Sequence, residues 1–99
     1  MLHIVNKSPF ERNSLESCLK HAVKGSAILL IEDGIYAALK DTQAAARVQA
    51  AMKDCTIYVL QPDVEARGMQ GRVLEGVKPV DYAGFVDLTA SHNAVQSWL

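Results

Sequence analysis

The run Ala27-Ile-Leu-Leu-Ile31, bounded by Gly25-Ser26 before it and Glu32-Asp33-Gly34 after it, constrains the fold of this chain more than any other segment. Five consecutive apolar residues between turn signals read as a strand buried on both faces, as in a parallel sheet covered by helices. Its companions are Leu2 to Val5, ended by Asn6-Lys7-Ser8-Pro9, and Thr56 to Leu60, broken by Gln61-Pro62. Between them the period changes to that of a helix. From Asn13 to Ala22, the residues Leu15, Cys18, Leu19 and Ala22 fall at i, i+3, i+4 and i+7, and Asn13 with Glu16 makes a capping-box variant. A second helical region is expected through Ile35 to Leu39 and then, from an Asp41 or Thr42 cap, to Met52, with Ala44 or Ala45, Val48, Ala51 and Met52 inward. Asp63 is expected to cap a short helix that Gly68 ends, and Met69 to Gly76 reads as loop. Val77 to Asp81 is expected as a fourth strand, which Pro79 demotes to an edge or to an irregular strand. Asp81 then caps a last helix with apolar positions Tyr82, Phe85, Val86 and Thr89, and the tail 94–99 is expected to dock through Val95, Trp98 and Leu99.

Strands that alternate with helices imply βαβ units with right-handed crossovers. The expected fold is a small three-layer α/β/α sandwich, flavodoxin-like, with a mainly parallel sheet of four to five strands in a single domain over residues 1–99. Ten basic side chains nearly balance eleven acidic ones, which leaves no net field to draw in nucleic acid or an anionic membrane. The longest apolar runs, Ala27 to Ile31 and Ile35 to Leu39, fall far short of the ~20 residues of a membrane helix. Met1 leads into a strand-like stretch without a basic leader region, so a cytoplasmic location is expected.

Ligands of open parallel sheets bind beyond the carboxyl ends of the strands, here Asn6 to Pro9, Glu32 to Gly34, and Gln61 to Asp63. None of these holds a cysteine, a dinucleotide fingerprint or a P-loop. A phosphate-accepting receiver is excluded as well, because Leu60 and Asn6 stand where its aspartates would. Asp33-Gly34 reads as a turn in which glycine supplies a positive φ, and Arg67 as a solvated cation near a helix end or a contact for a partner's anion. The two cysteines lie far apart with no Cys-x-x-Cys, so no metal site is expected, and Cys55 reads as packing. Cys18 has two readings. It is core filler on the inward helix face, or a sulfur carrier whose thiolate His21, one turn on, would stabilise. The second requires that its face of the helix be open.

The order of motifs completes the reading. Met1-Leu-His-Ile-Val-Asn-Lys-Ser-Pro-Phe10, Glu32-Asp-Gly-Ile-Tyr-Ala-Ala38, Tyr58-Val-Leu-Gln-Pro-Asp63, Ala66-Arg-Gly68, Asp81-Tyr-Ala-Gly-Phe-Val-Asp-Leu-Thr89 and Val95-Gln-Ser-Trp98 together resemble the DsrH/TusB family across essentially the whole chain. The resemblance implies a DsrE-like α/β/α fold and one of three related subunits in a cytoplasmic heterohexamer. Its partners would be DsrE/TusD-like and DsrF/TusC-like sister subunits and a downstream sulfur acceptor of DsrC/TusE type, with no cofactor and no direct nucleic-acid contact. The principal persulfide cysteine of such complexes belongs to the DsrE or TusD subunit, on a loop beyond a strand, and this chain has none there. Cys18 and the run Asn13 to Lys20 resemble DsrH-like members, which work in intracellular sulfur oxidation, more than TusB-like members, which serve tRNA wobble 2-thiouridine synthesis. Two roles are therefore expected to compete: a relay subunit with Cys18 as persulfide carrier and His21 as thiolate partner, or a structural subunit that completes the hexamer. Neither makes the isolated chain an enzyme.

Overall fold

The computed structural model describes residues 1–10 and 13–98. Its strands are β1 (Leu2–Val5), β2 (Ala27–Leu30), β3 (Thr56–Leu60), β4 (Lys78–Val80) and β5 (Val95–Trp98), and its helices α1 (Ser14–His21), α2 (Ala45–Ala51), α3 (Gln61–Ala66) and α4 (Tyr82–Ser91), with a 3₁₀ segment at Glu32–Ala38. The strands form one sheet in the order β4-β3-β2-β1-β5, and every neighbouring pair is parallel. The doubly buried strand expected from the Ala27 run is β2, whose four residues are all buried between β1 and β3. Pro79 lies in the edge strand β4, as its missing N–H requires, and the tail adds β5 along the far side of β1. The expected contribution of Leu99 to that docking lies outside the described residues.

From β1 to β4 the chain steps one way across the sheet, and right-handed crossovers place α1, the 3₁₀ segment, α2 and α3 on one face. Leu15, Cys18, Ile35, Ala38, Val48 and Val64 close there over Val5, Ile28, Leu30, Ile57 and Val59. The return from β4 to β5 runs the opposite way and carries α4 to the other face, over Leu2, Ala27 and Leu29. That second layer is thin. α4 has no fully buried residue, and only Phe85 and Leu88 pack inward. The expected inner face is thus corrected: Tyr82 and Val86 are each 62% exposed.

Several boundaries move, each for a local reason. Asn13 occupies the N-cap position of α1 without a side-chain cap hydrogen bond, so the capping box does not form, although Leu15 and Cys18 are buried as their spacing requires. The second helical region is divided. Residues 39 and 40 are drawn out to the 69–76 segment, where Leu39 bridges Val73 antiparallel and Lys40 N–H donates to the Arg72 carbonyl. Asp41 then adopts φ 61, the Thr42 hydroxyl donates to the Leu39 carbonyl, and α2 starts only at Ala45. α3 begins at Gln61 rather than at an Asp63 cap, because Pro62 fits the first helical turn, where its missing N–H costs nothing. Asp81 does cap α4, accepting from Gly84 N–H at 2.8 Å.

Gly34 is needed for closeness, not for a positive φ, which falls on Glu32 instead (φ 50). A Cβ at Gly34 would stand 2.2 Å from the Val5 carbonyl oxygen. Gly34→Ala should therefore cost at least about 1–3 kcal/mol, read from the urea midpoint, because backbone rather than a side chain would have to give way. Gly71→Ala, at an open position, serves as the control and should change stability by less than about 0.5 kcal/mol.

Candidate functional site

Cys18 lies at the centre of the helix-covered face with 0% exposure. Burial, with a smaller contribution from the Cys55 thiol, pushes its pKa up to about 12. At pH 7 the group is a thiol and a small hydrophobe. Cys55 is raised too, by burial first and by Asp54 second, against a partial offset from the Ser26 backbone; its thiol donates to the Val23 carbonyl at 3.7 Å. Ser26 and Cys55 are neighbours on the same face, because Ala27 pairs with Thr56 and Thr56 N–H donates to the Ser26 carbonyl.

His21 is exposed and turned to a different partner. Its Nδ1 lies 2.8 Å from the Ser17 carbonyl oxygen, and its ring faces Trp98 at a centroid distance of 5.3 Å. The electrostatic contributions that raise Cys18 come from burial and Cys55, not from His21. Trp98 also meets His3, only 2% exposed, whose Nδ1 accepts the indole N–H at 3.1 Å. Spacing along the sequence did not reveal this cluster. The register that pairs Leu2 with Val95 puts His3 and Trp98 on one face of adjacent strands, a signal legible only once the tail is known to be a strand beside β1.

The carboxyl ends of the central strands come together and seal one another. Gly34 abuts the end of β1, and Glu32 N–H donates to Asp63 Oδ2 at 2.6 Å. Arg67 donates through Nε and Nη2 to Asp33 Oδ1, at 3.1 and 3.0 Å, and through Nη1 to the Asp63 carbonyl. Arg67 is therefore an internal strut between α3 and the 3₁₀ segment, not a free cation. With Asp33 half exposed the pair contributes under about 1 kcal/mol, so its value is positional. No thiol reaches this rim, since both cysteines are held in the core beneath the helices.

An open groove of about 430 Å³ lies between α1 and α2, floored by Leu19, Ala50 and Ala51 and edged by Lys20 and the Glu16–Arg47 ion pair, and a smaller cavity of about 60 Å³ lies beyond β1 between Pro9, Phe10, Gln43, Ala44 and Arg47. The groove's apolar floor can seat an apolar side chain, and the carboxylate of Glu16 on its rim is paired with Arg47. Among the described residues no helix is long and apolar enough to cross a membrane.

Fold and site define a small all-parallel three-layer α/β protein in which Asp33, Asp63 and Arg67 tie together the segments that follow β2 and β3. The same architecture occurs in the ychN protein of E. coli, with a TM-score of 0.79, 15% identity and 97% of each chain covered. The family described as "DsrH like protein" matches residues 7–95. Protein TusB of Pectobacterium parmentieri is 37% identical over 98 residues, and Protein TusB of Klebsiella pneumoniae subsp. pneumoniae 36%, each match covering 99% of this chain and 100% of the relative. The chain belongs to the DsrH/TusB family of sulfur-relay proteins.

Enclosure of Cys18 has a direct chemical readout. At pH 8 a thiol of pKa about 12 is ionised in only about one molecule in ten thousand. Native protein treated with iodoacetamide should leave Cys18 unmodified while urea-unfolded protein is alkylated at both cysteines, scored by peptide mass spectrometry. Equal rates in the two states would contradict the enclosed site.

Proposed function

We propose that this chain is a non-catalytic subunit of a cytoplasmic heterohexameric sulfur-relay complex, assembled with DsrE/TusD-like and DsrF/TusC-like sister subunits and serving a DsrC/TusE-type acceptor. The observation that carries this reading is the contrast between its thiols and its surface. Cys18 and Cys55 are buried with raised pKa values and neither reaches the sheet's ligand edge, while Tyr82 and Val86 stand exposed on the thin second layer. Exposed aromatic and aliphatic side chains on a helix suit a subunit contact. The chain then contributes shape, and the persulfide is held by a sister subunit.

The full-length TusB relatives favour delivery of sulfur toward tRNA wobble 2-thiouridine. The second reading, intracellular sulfur oxidation with Cys18 as persulfide carrier and His21 as its partner, is favoured by the DsrH-like family match and by the cysteine in α1. It requires α1 to lift from the sheet before the Cys18 thiol meets a donor. If a carrier, Cys18 would attack the outer sulfur of an incoming persulfide as a thiolate and yield that sulfur to the next thiol.

Three measurements test these readings. In the assembled complex fed with a persulfide donor, Cys18→Ala should leave sulfur transfer to the acceptor within about twofold, with the ~32 Da sulfur adduct confined to a sister subunit. Loss of transfer together with an adduct on Cys18 in the parent complex would establish the carrier instead. The double variant Tyr82→Asp and Val86→Asp should keep the fold by circular dichroism and lose co-purification with the sister subunits. Unchanged assembly would remove α4 from the interface. Loss of 2-thiouridine from tRNA in a strain lacking the chain separates the two branches.

A further inference from the structure

β5 is attached to the sheet by its ladder to β1 and by one partly buried side chain. Val95, Gln96 and Ser97 are exposed, and only Trp98 packs against the core. Its indole N–H donates to His3 Nδ1 at 3.1 Å, which requires that nitrogen to be unprotonated and places the ring proton of neutral His3 on Nε2. His3 is 2% exposed, so in the docked state loss of the indole bond would leave a buried ring nitrogen without its partner. We propose that His3 and Trp98 form a proton-operated latch on β5: neutral His3 holds the strand against β1, and protonation of its Nδ1 releases the strand while the rest of the sheet stays folded.

The surroundings set the direction. On its own strand His3 meets the positive Met1 amino group, and from α1 it meets His21; both oppose a second proton on the ring. The neighbours in register are Ile28 on β2 and Gln96 on β5, neither of them titratable. Burial is the largest cause and holds the His3 pKa below 6.5 in the docked state. With β5 undocked the ring is wetted and its pKa returns toward 6.5. The undocked state therefore binds the proton more tightly, so docking is fully favoured above pH 6.5 and weakens as pH falls toward the docked-state pKa. Within that window the opening equilibrium rises by up to about tenfold per pH unit. The effect remains confined to β1, β5 and the end of α1 that touches Trp98, because α2 and α3 pack on β2 and β3 away from β5.

Hydrogen exchange by mass spectrometry on the full chain between pH 7.5 and 5, corrected for intrinsic rates, tests the latch. Peptides covering β1 and β5 should lose protection by about tenfold per pH unit below 6.5, while β2 and β3 keep theirs and the ellipticity is constant. Trp98 is the single tryptophan, so its emission should shift to the red over the same window. His3→Gln, whose side-chain oxygen accepts the indole N–H without titrating, should abolish both changes. Trp98→Phe should give raised β5 exchange at every pH, without the transition, and stands in if His3→Gln does not fold. His21→Gln should keep the transition. A transition that survives His3→Gln or vanishes in His21→Gln, the absence of any transition, or simultaneous loss of protection throughout the sheet would each overturn the proposal.

Discussion

The structure depends on the double burial of β2. A parallel strand with both faces dry must be covered twice, and every later step of the chain follows from that demand. Successive crossovers in one direction supply a well-filled layer of three helices and the 3₁₀ segment, and only the return to β5 supplies anything for the other side. One helix of ten residues covers that face. The exposed Tyr82 and Val86 are a consequence of topology.

The same economy governs the strand ends. In sheets of this kind the carboxyl edge usually opens to a ligand, but here Gly34 brings the 3₁₀ segment onto the end of β1, and Asp63 and Arg67 tie it to α3. The edge that could hold a sulfur-carrying thiol is spent on joining elements. Chemistry in the family is compatible with such a chain when the reactive group sits on another subunit and this one shapes what surrounds it.

Much of the architecture was readable from the residues. The Ala27 run announced the buried strand, the spacing of Leu15 and Cys18 announced the inner face of α1, Pro79 announced an edge, and Asp81 announced a cap; each depends on neighbours close in sequence. The misreadings share the opposite property. Asp63 looked like a cap for its own helix and instead serves Glu32, 31 residues away. Gly34 looked like a turn residue and is a contact residue for Val5. The break after Leu39 comes from Val73. As for the candidate site, sequence placed Cys18 on the correct face of the helix, but whether that face is open depends on how tightly α1 lies on the sheet, which no local pattern encodes.

The pairing of β1 with β5 also governs when the sheet can be finished. Its contacts reach across 95 positions, from His3 to Trp98, whereas β1 with β2 and β2 with β3 join segments adjacent in the order of synthesis. A chain emerging from the ribosome can therefore assemble the middle of the sheet early, while the outer edge of β1 stays bare until β5 has been made. During translation that edge is the part of the nascent chain most open to capture by another strand or by a chaperone.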